Sequence, residues 1–194
     1  RLTNDPNLTV STFFYVNQLP GVATLSQYDV VLLLMNGLFD ESAALGTEVA
    51  DYVALGGNVV LSSFYWQGRS DSGLGSIGWG ALETIDPFAS LGGATYQAVT
   101  LDANSVVAHS LTLGVTAVSS TSYSSGVSAL TGTTVVASWD DGAPFIGYKI
   151  LAGGQRIVGV SLFPAAGGTA TGDIQAVWEN ALNWAGAAGG PALR

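Results

Sequence analysis

From Tyr28 to Asn36 the chain reads Tyr-Asp-Val-Val-Leu-Leu-Leu-Met-Asn, an apolar run with no alternation. A run of this kind predicts a strand buried on both faces, as in a parallel sheet covered on either side. Over 42–55 the period changes. Leu45, Val49, Tyr52 and Val53 fall at i, i+4, i+7 and i+8, with Asp40 or Ser42 placed to cap the start and Gly56 to stop the end, which predicts an amphipathic helix. A second unbroken apolar run, Asn58-Val-Val-Leu-Ser-Ser63, follows directly. Strand, crossover helix and strand together predict one βαβ unit, and in open α/β folds chemistry gathers where such strands end.

Before this unit, residues 8–16 are rich in β-branched and aromatic side chains and run into Leu19-Pro20-Gly21, which predicts a strand and a turn. Phe13, Phe14 and Tyr15 make both faces of that strand apolar, so it is expected at a sheet edge where it pairs with another chain or lies under the domain's own helices. From Trp66 to Leu91 glycine and serine break every period, predicting a long loop. Segments 95–101, 115–119, 133–139, 144–151 and 156–162 then read as short strands between Gly, Asn, Asp and Thr turns. Over 173–185, Ile174, Val177, Trp178, Ala181, Leu182 and Ala185 share one helical face behind Thr171 or Asp173. The chain is expected to form one domain over 1–188, with 189–194 as a tail. It begins at Arg1 without an initiator Met and is expected to be a processed or trimmed product.

Composition narrows the function classes. Charged residues make up only 10% and hydrophobic ones 48%, so Ser, Thr, Gly and Asn must cover most of the surface, a composition expected of an extracellular or cell-surface protein. Five basic residues against fourteen acidic ones leave −9, and the arginines are scattered, so there is no basic stripe for nucleic acid. Absence of cysteine excludes disulfides and thiol chemistry. Apolar runs fall far short of the roughly 20 residues needed to span a bilayer, so no membrane span is expected.

The order Tyr28-Asp29-Val30-Val31, Asp51-Tyr52-Val53, Gly56-Gly57-Asn58-Val59-Val60, Ala108-His109-Ser110-Leu111, Trp139-Asp140-Asp141-Gly142, Arg156-Ile157-Val158, Phe163-Pro164 and Asn180-Ala181-Leu182 resembles the class I glutamine-amidotransferase-like domains of secreted bacterial and archaeal proteins. The resemblance spans roughly residues 25–186. It implies an α/β fold: a flavodoxin-like three-layer sandwich with a mainly parallel central sheet, here with a β-rich second half. Active members of that family carry a cysteine at the sharp turn after the strand that matches Asn58–Ser63, and a His-Glu pair near the end of the domain. This chain has Ser-Ser-Phe-Tyr-Trp-Gln at the turn and a lone histidine, His109, in mid-chain.

Several residues are chemical candidates. Ser62 or Ser63 with His109 and an acid such as Asp86, Asp102 or Asp140 has the parts of a hydrolytic triad. A nucleophile elbow wants small flanking residues, however, and here the flanks are Leu, Phe, Tyr and Trp. His109 in Ala-His-Ser-Leu also reads as a turn residue bonding backbone groups. Phe64, Tyr65, Trp66, Gln67 and Trp79 bracket the glycine-rich loop and have the composition of a carbohydrate platform or a protein contact, or of a cover over a lost pocket. Asp140 and Asp141 have the acidity for a hard cation but supply too few ligands alone, and a hairpin turn accounts for them. The resulting expectation is a pseudo-enzyme: a non-catalytic domain without cofactor that serves self-assembly or protein binding in a cell-surface or filament protein. A carbohydrate-binding module and a cryptic serine hydrolase are the alternatives.

Overall fold

The computed structural model of the chain describes residues 5–13, 18–34, 41–66, 78–91, 98–122, 126–164 and 169–191. The βαβ unit forms as the apolar pattern predicts: β1 (Val30–Leu33), α2 (Ser42–Ala54, after the short α1, Val22–Leu25) and β2 (Asn58–Ser62). β1 and β2 are parallel, with Val31 opposite Val59 and Leu33 opposite Leu61. Gly56 ends α2 with φ of 107°, a left-handed geometry that glycine takes without a Cβ penalty. The helix starts at Glu41 rather than on a Ser or Asp cap, and Glu41 makes no capping bond.

The chain continues through β3 (Phe88–Ser90), β4 (Val99–Thr100), β5 (Val118–Ser120), β6 (Val127–Ala129), β7 (Thr134–Ser138), β8 (Pro144–Ile150), β9 (Arg156–Val160), β10 (Ala170–Gly172) and α3 (Ile174–Gly186). The main sheet has the order β1-β2-β9-β8-β7; β9 joins β2 in parallel and β8 turns antiparallel to it. The fold is thus mixed α/β, with a mixed sheet and a second half that is mostly β. β10, β5 and β4 form a small three-stranded sheet, and β3 pairs with β6. The strands 88–90, 127–129 and 170–172 carry no sequence signal of their own, being three residues each.

Side chains alternate across β1, β2 and β9 as the pleat requires. Val59, Leu61 and Ile157 join a buried cluster with Val49, Tyr52 and Val53 of α2. Val60, Val158 and Val160 join another with Val177, Trp178 and Ala181 of α3. Unbroken apolar strands are therefore explained, since each face has its own helix. The outer edge of β7 is covered by residues 102–107, with Val107 N–H donating to Val136 O and Asp102 N–H to Ser138 O.

The predicted strand at 8–16 is a correction. Residues 8–13 form no strand, and 14–17 lie outside the described residues. Only Leu8 packs against the core, while Val10 and Phe13 are exposed. The segment is held instead by Asp5, whose carboxylate accepts from Asn7 and from Asn183 of α3. Within the described residues β1 ends the sheet.

Asp173 does not cap α3 by its side chain. Its Oδ2 accepts from Thr116 N–H (2.7 Å), Thr116 Oγ1 (2.9 Å) and Ala117 N–H (2.9 Å), tying the start of the helix to the approach of β5. Those bonds, led by the Thr116 amide, hold its carboxyl below the usual carboxylate range. The ionised form is favoured by folding, so its stabilisation is present above about pH 4 and is lost as pH falls below that. Asp173→Ala is accordingly expected to lower the melting temperature at pH 7, with the gap to the parent chain narrowing at pH 3. A gap that stays constant across the two pH values would show that the carboxylate charge plays no part.

Candidate functional site

In an open α/β sheet the first place to look is the carboxyl end of the parallel strands. There β2 runs out into Ser62, Ser63, Phe64, Tyr65 and Trp66, all buried. Ser62 Oγ lies 3.2 Å from Leu33 O, to which it donates, and Ser63 N–H donates to Leu162 O. Both serines have no exposed surface, so neither presents a hydroxyl to solvent.

The next residue is the unusual one. Phe64 has φ of 71°, the one non-glycine residue with positive φ among those described. A bulky residue in this region costs on the order of 1–3 kcal/mol and persists only where its surroundings enforce it. A sharp strand-to-turn transition with a strained residue at its apex is the geometry of a nucleophile elbow. Here the apex carries a phenyl ring, which packs on Phe163 at 4.9 Å between centroids.

The aromatic residues expected on an exposed loop are instead core, and this corrects the platform reading. Tyr65, Trp66 and Trp79 are at most 1% exposed and Phe64 9%; Gln67 lies outside the described residues. Tyr65 stacks on Trp79 at 4.8 Å, meets Trp66 edge-on at 5.3 Å, and Trp66 leans on Phe88 at 5.3 Å. Trp79 Nε1–H donates to Tyr65 O, and Tyr65 Oη to Asp86 Oδ1 at 2.7 Å. Phe88 fits because Gly147 and Gly159 lie beneath it, where added Cβ atoms would come within 2.8 and 2.7 Å of its ring. Burial of this many rings outweighs exposure by several kcal/mol, which is why so aromatic a segment folds inward.

His109 lies far from the serines. Its Nδ1 accepts from Leu111 N–H, and the His109 backbone N–H donates to Thr112 Oγ1, closing a reciprocal cap on the turn Ser110–Thr112. The ring stacks on Tyr148 of β8 at 5.0 Å and meets Trp184 of α3 edge-on at 5.2 Å. Tyr148 pairs with Val158 of β9, two residues before Val160, the partner of Ser62, and β9 lies between β8 and β2. The two sites are thus about 7 Å apart along the strands and about 10 Å apart across them. Among the described residues His109 meets no carboxylate: Asp86 is bonded to Tyr65, Asp102 caps its own turn through Asn104 N–H, and Asp140 accepts from Thr100 N–H. Burial, then the nearby Arg156 charge, hold the imidazole below the usual histidine range. The triad parts are present in the sequence and are not brought together by the fold.

Asp140 and Asp141 occupy the β7–β8 turn. Asp141 Oδ1 accepts from Ala143 N–H, and Gly142 takes the left-handed position with φ of 86°. Among the described residues no three or more His, Cys, Asp or Glu side chains gather as a metal site would require.

What the sequence did not reveal is the group around His109. Arg156 lies 4.4 Å over the Trp184 ring and donates from Nη1 to Trp184 O, and Tyr148 packs on Trp184 at 4.7 Å. Four residues from three elements and a turn meet here, spread over 109–184. No local motif could have marked them.

No protein-family model matches the sequence, and no curated protein sequence does either. Similarity appears at the level of structure. The cytoplasmic protein STM1381 of Salmonella typhimurium LT2 superposes with a TM-score of 0.66 at 15% identity, over 87% of this chain and 76% of that one. The cytoplasmic protein STM3548 of Salmonella typhimurium gives 0.62 at 12% identity, over 88% and 76%. The mmIFT52 N-terminal domain gives 0.51 at 12% identity, over 73% and 68%. These likenesses support the fold. They also correct the expected extracellular or cell-surface location: two similar structures are described as cytoplasmic proteins, so the fold itself does not point to secretion.

Proposed function

We propose that this chain is a non-catalytic binding or assembly domain built on an α/β frame whose catalytic position has been filled. The observation that carries the reading is Phe64. It sits at the apex of the strained turn after β2, where an elbow would present its nucleophile, and its ring is buried against Phe163. A strained backbone kept without a reactive side chain fits an inherited turn now serving packing. The same reading takes the sheet, with α2 and α3 packed on opposite faces, as a flavodoxin-like sandwich, in keeping with the resemblance to amidotransferase-like domains. Support for that comes from the parallel β1-β2-β9 core and the buried cluster on each face.

The test is chemical. Incubation of the folded protein with a serine-directed fluorophosphonate, followed by intact-mass measurement, is expected to give no adduct, and glutamine is expected to release no ammonia. A stoichiometric adduct mapped to Ser62 or Ser63 would overturn the reading. The carbohydrate alternative loses its proposed platform, because the rings of Phe64, Tyr65, Trp66 and Trp79 have almost no exposed surface.

A further inference from the structure

At the amino end of the parallel strands, opposite the filled turn, the surface group of His109, Tyr148, Arg156 and Trp184 is built differently from the rest of the molecule. Each of the four is half-buried, and they touch as a continuous stack. Their polar atoms are nearly all donors. His109 Nδ1 is used as an acceptor, which places the proton of the neutral ring on Nε2. That N–H, the Tyr148 hydroxyl, the Trp184 indole N–H and the Nε and Nη2 of Arg156 have no hydrogen-bond partner among the described residues, and Arg156 meets no carboxylate there. A guanidinium stacked on an indole keeps its fork free at the edge, in the geometry that suits a carboxylate.

The flanks of the group are apolar. Ile150, 56% exposed, pairs directly with Arg156, so the two side chains leave the same face of the sheet. Leu113, 73% exposed, is held at the other side by Asn180, whose Nδ2 donates to Leu113 O one helical turn before Trp184. The result is a strip with apolar ends and a cationic, donor-rich centre.

Resting on the binding reading above, we propose that this strip docks a partner protein through a segment bearing one carboxylate between apolar side chains. The carboxylate answers the unpaired donors and Arg156, and the apolar neighbours answer Ile150 and Leu113. A net charge of −9 repels polyanions, which argues against nucleic acid and against long acidic runs, and favours a single carboxylate on a largely apolar segment. Aromatic and arginine side chains clustered in this way are also the residue types that dominate binding energy in interfaces.

The test uses the whole chain as bait for a random dodecapeptide phage library, then measures the enriched peptides in solution by the shift of the Trp184 indole N–H resonance. Enriched sequences are expected to carry one Asp or Glu flanked by apolar residues. Exchanging that residue for Gln or Asn is expected to weaken binding at least tenfold. So are Arg156→Gln and Tyr148→Phe, the second keeping the ring and its packing so that folding is preserved even if the first variant unfolds. Enrichment of basic or uncharged peptides, or no enrichment, would overturn the proposal. Acidic peptides that bind both variants unchanged would also overturn it, while leaving the broader binding reading standing; that reading falls instead to a serine adduct or to ammonia release from glutamine.

Discussion

Replacing Trp79 by Ala is expected to destabilise the domain by about 3–5 kcal/mol, the range for removing a fully buried Trp without repacking. The ring stacks on Tyr65, and its Nε1–H satisfies Tyr65 O. Losing it opens a cavity beside the elbow and removes the hydrogen bond to that carbonyl, so the two costs add. Urea unfolding monitored by circular dichroism measures the change. A loss below about 1 kcal/mol would mean that the side chain is not the core element described here, since exposed substitutions fall within about 0.5 kcal/mol.

The second large effect is at Gly46, in the middle of α2. On an exposed helix Gly→Ala stabilises by up to about 1 kcal/mol. Here the sign is expected to reverse. An added Cβ would lie 1.9 Å from Trp79 O and 2.6 Å from Trp79 C, a clash with backbone that no rotamer change relieves. Helix and segment must separate, at an expected cost of about 2–3 kcal/mol, near the upper end for overpacking. Because loss of the Trp79 side chain frees the backbone at 79 to shift away from the added Cβ, the double variant should lose less than the sum of the two. Strict additivity, or a stabilised Gly46→Ala protein, would contradict the packing described.

Legibility of the sequence followed the strength of the periodic signal. The two long helices and the strands 30–33, 58–62, 134–138, 144–150 and 156–160 could be read because each repeats its pattern over several residues. Composition misled at 8–13, where β-propensity suggested a strand, yet these residues form none and the segment is anchored through Asp5 to Asn183 of α3. It misled again at 64–79. Aromatic residues next to glycine and serine read as an exposed platform, but the rings bury because Gly46, Gly147 and Gly159 leave room for Trp79 and Phe88 to pack closely. Those glycines are far away in sequence, so the seat for the rings exists only in the fold. The separation of His109 from Ser62 and the assembly around Arg156 are likewise products of sheet order, which no local pattern encodes.

The central claim is that the carboxyl end of the sheet, where an enzyme of this architecture would work, is closed core. Amide hydrogen exchange tests it at the residues concerned. Ser63 N–H bonds to Leu162 O and Tyr65 N–H to Ser62 O, both among fully buried side chains. Their exchange is predicted to require the same opening free energy as Val59–Leu61 in the centre of β2, that of global unfolding. Exchange at Ser63 and Tyr65 several orders of magnitude faster than at Val59–Leu61 would reveal a locally opening site at the end of β2, and would contradict the account.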